Sequence, residues 1–134
     1  MADAAATLIR QYYNRFNAGD WDGMIGLMAE DVAHDINQGG REIGRDAFRR
    51  FLERMARSYR EQVGELVVMT EPKGRHVGVE YVVSGAYVAT DTGLPPARGQ
   101  TYRLPGGAFF DLAKGRIARI ANYYNLQEWL RQIA

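Results

Sequence analysis

The chain has 134 residues, 46% of them hydrophobic, which suits one globular domain with its own core. Its 17 Lys and Arg residues nearly balance its 16 Asp and Glu residues, so charge gives no reason to expect a nucleic-acid or membrane partner. The absence of cysteine excludes disulfides, thiolate metal sites and a cysteine nucleophile.

The first residues do not have the pattern of a signal peptide, because Asp3 and Arg10 bracket only a short apolar run. No stretch approaches the ~18 consecutive apolar residues of a membrane span. A cytoplasmic location is therefore expected.

The first half of the chain is predicted to be mainly helical. Apolar residues at three- and four-residue steps predict a helix over residues 3–17, which Gly19 would end. Asp20 is placed to cap a second helix that ends near Glu30. A short strand is expected over Val32–Ile36.

A third, longer helix is predicted from about Arg45 to Arg60. Charged residues cover one side of it, and we interpret them as its solvated face. Its opposite, buried face would carry Phe48, Phe51, Leu52, Met55 and Tyr59.

The second half is rich in β-forming residues separated by turn-like segments. The predicted strands are Glu65–Thr70, Val77–Thr90, Gln100–Leu112 and Ile117–Tyr124. Their short links favour an antiparallel meander. Within the third of them, Pro105 cannot donate a ladder hydrogen bond, so Pro105–Gly107 is expected to form a bulge. A short helix over Leu126–Ile133 closes the chain.

These elements predict an α+β architecture in a single domain over residues 1–134. Three N-terminal helices would pack on a curved antiparallel sheet to make a cone, with the short helix at the C-terminus. The wide end of such a cone leaves a cavity for a small ligand.

Several segments, in matching order, resemble the nuclear-transport-factor-2-like superfamily. Asn17–Gly23 followed by Leu27–Val32 resembles its "NAGD-x-D-G…L-x-A-x-D" segment. Gly44–Phe51 resembles the start of its third helix, and Gly115–Ile117 with Tyr123–Asn125 resembles its last hairpin. The nearest subset is that of ketosteroid-isomerase-related proteins and SnoaL-like polyketide cyclases, so the resemblance implies their cone-shaped fold.

The resemblance also implies positions for three catalytic groups. The family's tyrosine, which stabilises an enolate oxygen, falls on Tyr12. The carboxylate base falls on Ile36, one residue past Asp35, and one residue reverses the direction of a strand side chain. The second acid falls near Gly106, where no side chain can serve, and this departure argues against true ketosteroid isomerase activity.

His34 and Asp35 are the two candidate acid/base groups. Asp35 would become a base near neutrality if the cone desolvated it, or it would bond the backbone amides of residues 37–40. His34 titrates near neutrality without tuning, and its alternative role is that of a buried structural histidine. Because they are neighbours, at most one is expected to reach a given ligand.

Tyr12 could donate a hydrogen bond to a substrate carbonyl, or it could be a core residue whose hydroxyl finds a backbone partner. Further candidates for lining the cavity are Asn37, Phe51, Met55, Tyr123 and Asn125. No metal is expected, since the two histidines lie far apart in the sequence and form no His/Glu ligand pattern. No cofactor is expected either, because the glycines form no phosphate-binding loop.

The leading hypothesis is a cofactor-independent isomerase or cyclase acting on a small, apolar, carbonyl-bearing molecule. The alternatives are a non-catalytic protein that binds a small hydrophobic ligand in the same cone, or a dimerisation module. A homodimer is expected through the convex face of the sheet, because its strands carry apolar residues in both registers.

Overall fold

The computed structural model describes residues 1–134, which form four helices and six strands. In chain order they are α1 (Ala2–Ala18), α2 (Trp21–Ile25), β1 (Met28–Asp35), β2 (Arg41–Ile43), α3 (Arg45–Ser58), β3 (Tyr59–Thr70), β4 (His76–Tyr87), β5 (Gln100–Ala113), β6 (Arg116–Tyr124) and α4 (Leu126–Ile133). The fold is thus α+β, with β1 and β2 between the second and third helices. None of the four helices is long and apolar enough to cross a membrane.

The junction between α1 and α2 forms as its sequence predicts. Gly19 ends α1 in the left-handed conformation, with φ of 69°, which glycine adopts without steric cost. The Asp20 carboxylate caps α2 by accepting a hydrogen bond from the Gly23 amide at 2.9 Å. The second helix is shorter than predicted, because it ends at Ile25 and β1 begins at Met28.

The strands form one curved sheet in the order β2-β1-β6-β5-β4-β3. Strands β3 to β6 make the predicted antiparallel meander. Strand β1 joins β6 in parallel, and the short β2 pairs with β1 at the edge. The inner face of this sheet is the one against α1 and α3, and the outer face is the opposite one.

The bulge expected at Pro105–Gly107 is absent. The β4–β5 register runs unshifted through Val82↔Pro105, Tyr81↔Gly106 and Glu80↔Gly107. Pro105 is tolerated because the β6 pairing begins only at Gly106, so β5 has a single neighbouring strand at the proline. Register shifts occur instead in β3 near Glu65, whose φ is 50°, in β1, and at the far end of β5.

Helix α3 ends at Ser58, earlier than predicted, and Tyr59 begins β3. Phe48 and Leu52 on α3 are buried, whereas Phe51 and Met55 are only partly buried. The main core lies between the helices and the inner face, and its fully buried members include Ile9, Met24, Met28, Phe110, Ile117 and Ile120. One part of the inner face stays uncovered by this packing.

Candidate active site

A cavity of about 440 Å³ lies between the inner face of the sheet and helices α1, α3 and α4. Most of its wall is apolar or aromatic. The ionisable groups in the wall are few: His34, Arg54, Glu61, Asp91 and several tyrosines. A largely apolar space with a few convergent polar groups has the character of a small-molecule site.

His34 faces this cavity from strand β1. Its ring is 2% exposed and lies against Phe48 and Phe51 of α3, with centroid distances of 4.8 and 4.6 Å. Its Nδ1 has no hydrogen-bond partner in the protein. Burial lowers the pKa of the imidazole, so the neutral form, which can accept a proton, is favoured near neutral pH.

Asp35 does not line the cavity, because the next residue along β1 points to the outer face. Its carboxylate accepts hydrogen bonds from Arg41 Nε at 2.7 Å and Arg119 Nε at 2.9 Å. The bonds from Arg41 and Arg119 lower the Asp35 pKa to about 2. The structure thus places Asp35 as an ion-paired residue between β2 and β6 rather than as a group that reaches a ligand.

Two tyrosines of α1 form the floor of the cavity. Tyr12 packs edge-on against Tyr13 and against Phe110, at 5.0 and 5.3 Å between centroids. Burial, with a smaller contribution from Tyr81, raises the pKa of Tyr12 well above its usual value, so its hydroxyl stays protonated. The Tyr13 hydroxyl is buried without a hydrogen-bond partner. Neutral phenols in this position can donate to a ligand oxygen.

The position at which the resemblance places a second acid is occupied by the ring of Tyr81. A Cβ atom on Gly106 would lie 2.7 Å from Tyr81 Cε1, so glycine is what allows the ring to lie over β5. The Tyr81 hydroxyl donates to Asn122 Oδ1 at 3.3 Å, and both residues line the cavity. The phenol of Tyr81 thus occupies the place at which the resemblance implies a carboxyl group.

Glu61 is a cavity carboxyl group that the sequence did not reveal. Its Oε2 accepts a 2.5 Å hydrogen bond from the Tyr102 hydroxyl. Burial raises the Glu61 pKa, and the bond from Tyr102 opposes this by lowering it. Gly85 makes room for the tyrosine, since a Cβ there would lie 2.5 Å from the Tyr102 hydroxyl oxygen. Sequence analysis missed Glu61 because the predicted strand began at Glu65, whereas β3 already begins at Tyr59.

Three of the other predicted lining residues are found in the wall: Asn37, Phe51 and Met55. Asn37 is fixed by exchanging hydrogen bonds with the Tyr124 backbone, donating at 3.1 Å and accepting at 3.3 Å. The Arg54 guanidinium stands over the Phe51 ring, 5.5 Å from its centroid, at the same part of the wall as His34.

Tyr123 and Asn125 do not line the cavity. Strand β6 extends through Tyr124, so Asn122 and Tyr124 face inward and Tyr123 faces outward, 53% exposed. Asn125 instead caps α4, where its Oδ1 accepts from the Glu128 amide at 3.1 Å. No group of three or more histidine, aspartate or glutamate side chains lies close enough together to hold a metal ion.

Known sequences and structures resemble this chain over nearly its whole length. The profile of the SnoaL-like domain family matches residues 9–120. A "putative polyketide cyclase" of Xanthomonas campestris shares 59% identity with a TM-score of 0.98, and the match covers 99% of this chain and 98% of that one. A protein of Pseudomonas putida with the same description shares 50% identity with a TM-score of 0.95, covering 97% and 98%. No functionally curated protein shows significant similarity to the chain.

Proposed function

The chain belongs to the SnoaL-like domain family, and from that premise we propose that it is a cofactor-independent isomerase or cyclase. Its substrate would be a small, largely apolar carbonyl compound of polyketide-like or steroid-like character. The similarity to two proteins described as polyketide cyclases supports the reaction class. The apolar wall and volume of the cavity support the substrate class.

The observation that carries the proposal is the state of His34. It is a buried imidazole at the cavity wall, and burial favours its neutral form. Its Nδ1 is fully buried, so Nε2 is the nitrogen that would meet a ligand. Ionisable side chains with a shifted pKa in a cavity are candidates for acid/base chemistry. His34 is therefore assigned as the base, and Asp35 is not used.

In the proposed reaction His34 removes a proton from the carbon next to the substrate carbonyl. The C–H electron pair moves into a carbon–carbon double bond, and the carbonyl oxygen becomes an enolate. The Tyr12 hydroxyl donates to that oxygen and stabilises its negative charge. In a substrate whose enolate is conjugated with a double bond, the protonated imidazole then returns the proton to another carbon, giving an isomer. Alternatively, the enolate carbon attacks a second carbonyl, whose oxygen takes the proton from the imidazole as the ring closes.

The test measures α-proton exchange directly, so the natural substrate is not needed. The probe is 2-tetralone, a bicyclic apolar ketone, and the readout is loss of its α-proton NMR signals in D₂O. We expect wild type to exceed the buffer rate and His34→Ala or His34→Gln to lower the catalysed rate at least ~100-fold. Asp35→Asn is the matched neighbour outside the cavity and should retain the rate.

Two outcomes would contradict the proposed reaction. Wild-type exchange in both His34 variants would remove the assigned base and the proposal with it. A protein that binds 2-tetralone without accelerating exchange would be a binding protein, the alternative that the same apolar cavity favours.

A further inference from the structure

The cavity has a second polar end, which the proposed reaction does not use. His34 lies on β1 and Glu61 on β3, and strands β6, β5 and β4 separate β1 from β3 in the curved sheet. The two side chains therefore enter the cavity from different parts of its wall, and one ligand can present a different group to each. Each end can therefore recognise a different part of the ligand.

Glu61 is a carboxyl group in the cavity wall without a cationic partner. Its hydrogen bond comes from Tyr102, and no arginine, lysine or histidine forms an ion pair with it. Glu61 is partly buried, and a carboxylate that loses hydration in this way without a paired cation is not compensated. The missing charge can be supplied by the ligand.

The surroundings of Glu61 favour a cation over a neutral group. Aromatic rings lie at this end of the cavity, contributed by Tyr102, Trp129 and Tyr59, which contact one another through Trp129. The electron-rich faces of tyrosine and tryptophan attract organic cations. The Tyr102 hydroxyl lies 2.5 Å from the Glu61 carboxylate, and the charge of Glu61 raises the pKa of this phenol after the larger effect of burial.

The charged residues of the cavity wall also differ between its two ends. Arg54 lines the cavity beside Phe51 near His34, whereas Glu42 and Asp35, whose charges raise the His34 pKa against the larger effect of burial, lie outside the cavity wall. At the other end, Asp91 accepts a 2.7 Å hydrogen bond from Tyr59, two residues before Glu61 on β3. A ligand with an electron-rich carbonyl at one end and a positive charge at the other matches this distribution.

From these contacts we infer that Glu61 forms a subsite for a protonated amine. The carboxylate, held by Tyr102, accepts hydrogen bonds from the ammonium group, and the surrounding rings contact its apolar substituents. The substrate class becomes an amino-bearing carbonyl compound. That extension rests on the proposed function, whereas amine binding itself does not.

Binding of two isosteric probes tests the subsite without any turnover. Phenethylamine carries the ammonium group, 2-phenylethanol replaces it by a hydroxyl, and calorimetry gives the affinity of each. We expect wild type to bind the amine at least about tenfold more tightly than the alcohol. Glu61→Gln should abolish that preference while keeping the affinity for the alcohol.

A matched control lies on the same strand. Glu65 is exposed and paired with Arg103 at 2.7 Å, so Glu65→Gln should keep the amine preference. A second measurement needs no variant: amine affinity should rise with pH through the Glu61 titration, because the raised pKa leaves part of the carboxyl protonated at lower pH. Calorimetry in buffers of different ionisation enthalpy would show the released proton.

Three results would overturn the inference: no binding of phenethylamine, equal affinity of wild type for the two probes, or an amine preference that survives in Glu61→Gln. None of them bears on exchange of 2-tetralone by His34. Conversely, loss of the exchange activity with a preserved amine preference would remove the proposed function and leave the subsite.

Discussion

The imidazole of His34 meets the ring of Phe51 at 75°, with 4.6 Å between the ring centroids. One residue comes from the sheet and the other from α3, so helix packing fixes how the imidazole is presented to the cavity. An acid/base group held in this way needs no rearrangement before it acts.

The rate of ketone exchange should depend on pH through the protonation of His34. The base acts in its neutral form, so the rate should fall as the imidazole becomes protonated. Burial places that pKa below the usual 6.5, and the rate should therefore be constant near pH 7 and decline only below about 6.5. Rates of 2-tetralone exchange between pH 4 and 8 would show this; a decline already complete at pH 7 would contradict it.

Tyr12→Phe should slow ketone exchange because it removes the proposed donor to the enolate oxygen. We expect a loss of about tenfold or more, smaller than the loss in His34→Ala. The fold should persist, since the edge-on ring contacts with Tyr13 and Phe110 remain. Tyr123→Phe, which alters an exposed hydroxyl on the outer face, is the control and should exchange at the wild-type rate.

Asp35→Asn should lower stability rather than activity. In the folded protein the Asp35 pKa falls to about 2, below that of an unfolded aspartate, so its contribution is present above about pH 4 and lost as pH falls towards 2. The thermal midpoint of the variant should lie below that of wild type at pH 7, and the gap should close at acidic pH. A gap independent of pH would contradict this role.

Truncation of Phe48 should lower the free energy of unfolding more than truncation of Phe51. Phe48 is 2% exposed in the core, so Phe48→Ala should cost about 3–5 kcal/mol of unfolding free energy. Both rings border the cavity, but Phe51 is only partly buried and has fewer contacts to lose, so Phe51→Ala should cost less. Urea denaturation of both variants gives the comparison, and equal costs would mean that the cavity wall is as tightly packed as the core.

We expect the chain to form a homodimer through the outer face of the sheet. Phe109 and Tyr123 are each 53% exposed there and contact one another at 5.8 Å between centroids. Exposed apolar groups of this size favour burial against a partner. Light scattering at tens of micromolar should give a dimer for wild type and for Ala4→Glu, which changes an exposed residue of α1 on the other side of the sheet, and a monomer for Phe109→Glu. A monomeric wild type would contradict the expectation.

Hydrophobic periodicity predicted the helices whose sequence pattern changes sharply at both ends. The first helix differs from its predicted span by one residue at each end, and the last helix coincides with it. The end of α3 was missed because Tyr59 continues the helical spacing of the apolar residues although it belongs to β3. Strand β2 has three residues, too few for an alternation to be recognised.

The candidate site depended on side-chain direction, which sequence restricts but does not settle. The alternation of a strand implied that His34 and Asp35 face opposite ways, and tertiary packing decided which faces in. Glu61 could not be found while its strand was unassigned. Tyr123 was misplaced for a similar reason, because the inward residues of β6 follow from its pairing with β5.

The contact between Gly106 and Tyr81 limits how this site could change through mutation. A Cβ at position 106 would lie 2.7 Å from the Tyr81 ring in its present position, so a side chain there requires the ring to move. A carboxyl group at position 106 would therefore be accommodated best with a smaller residue at position 81. The two positions are linked through a shared volume, and a relative with an acid at one should carry a small side chain at the other.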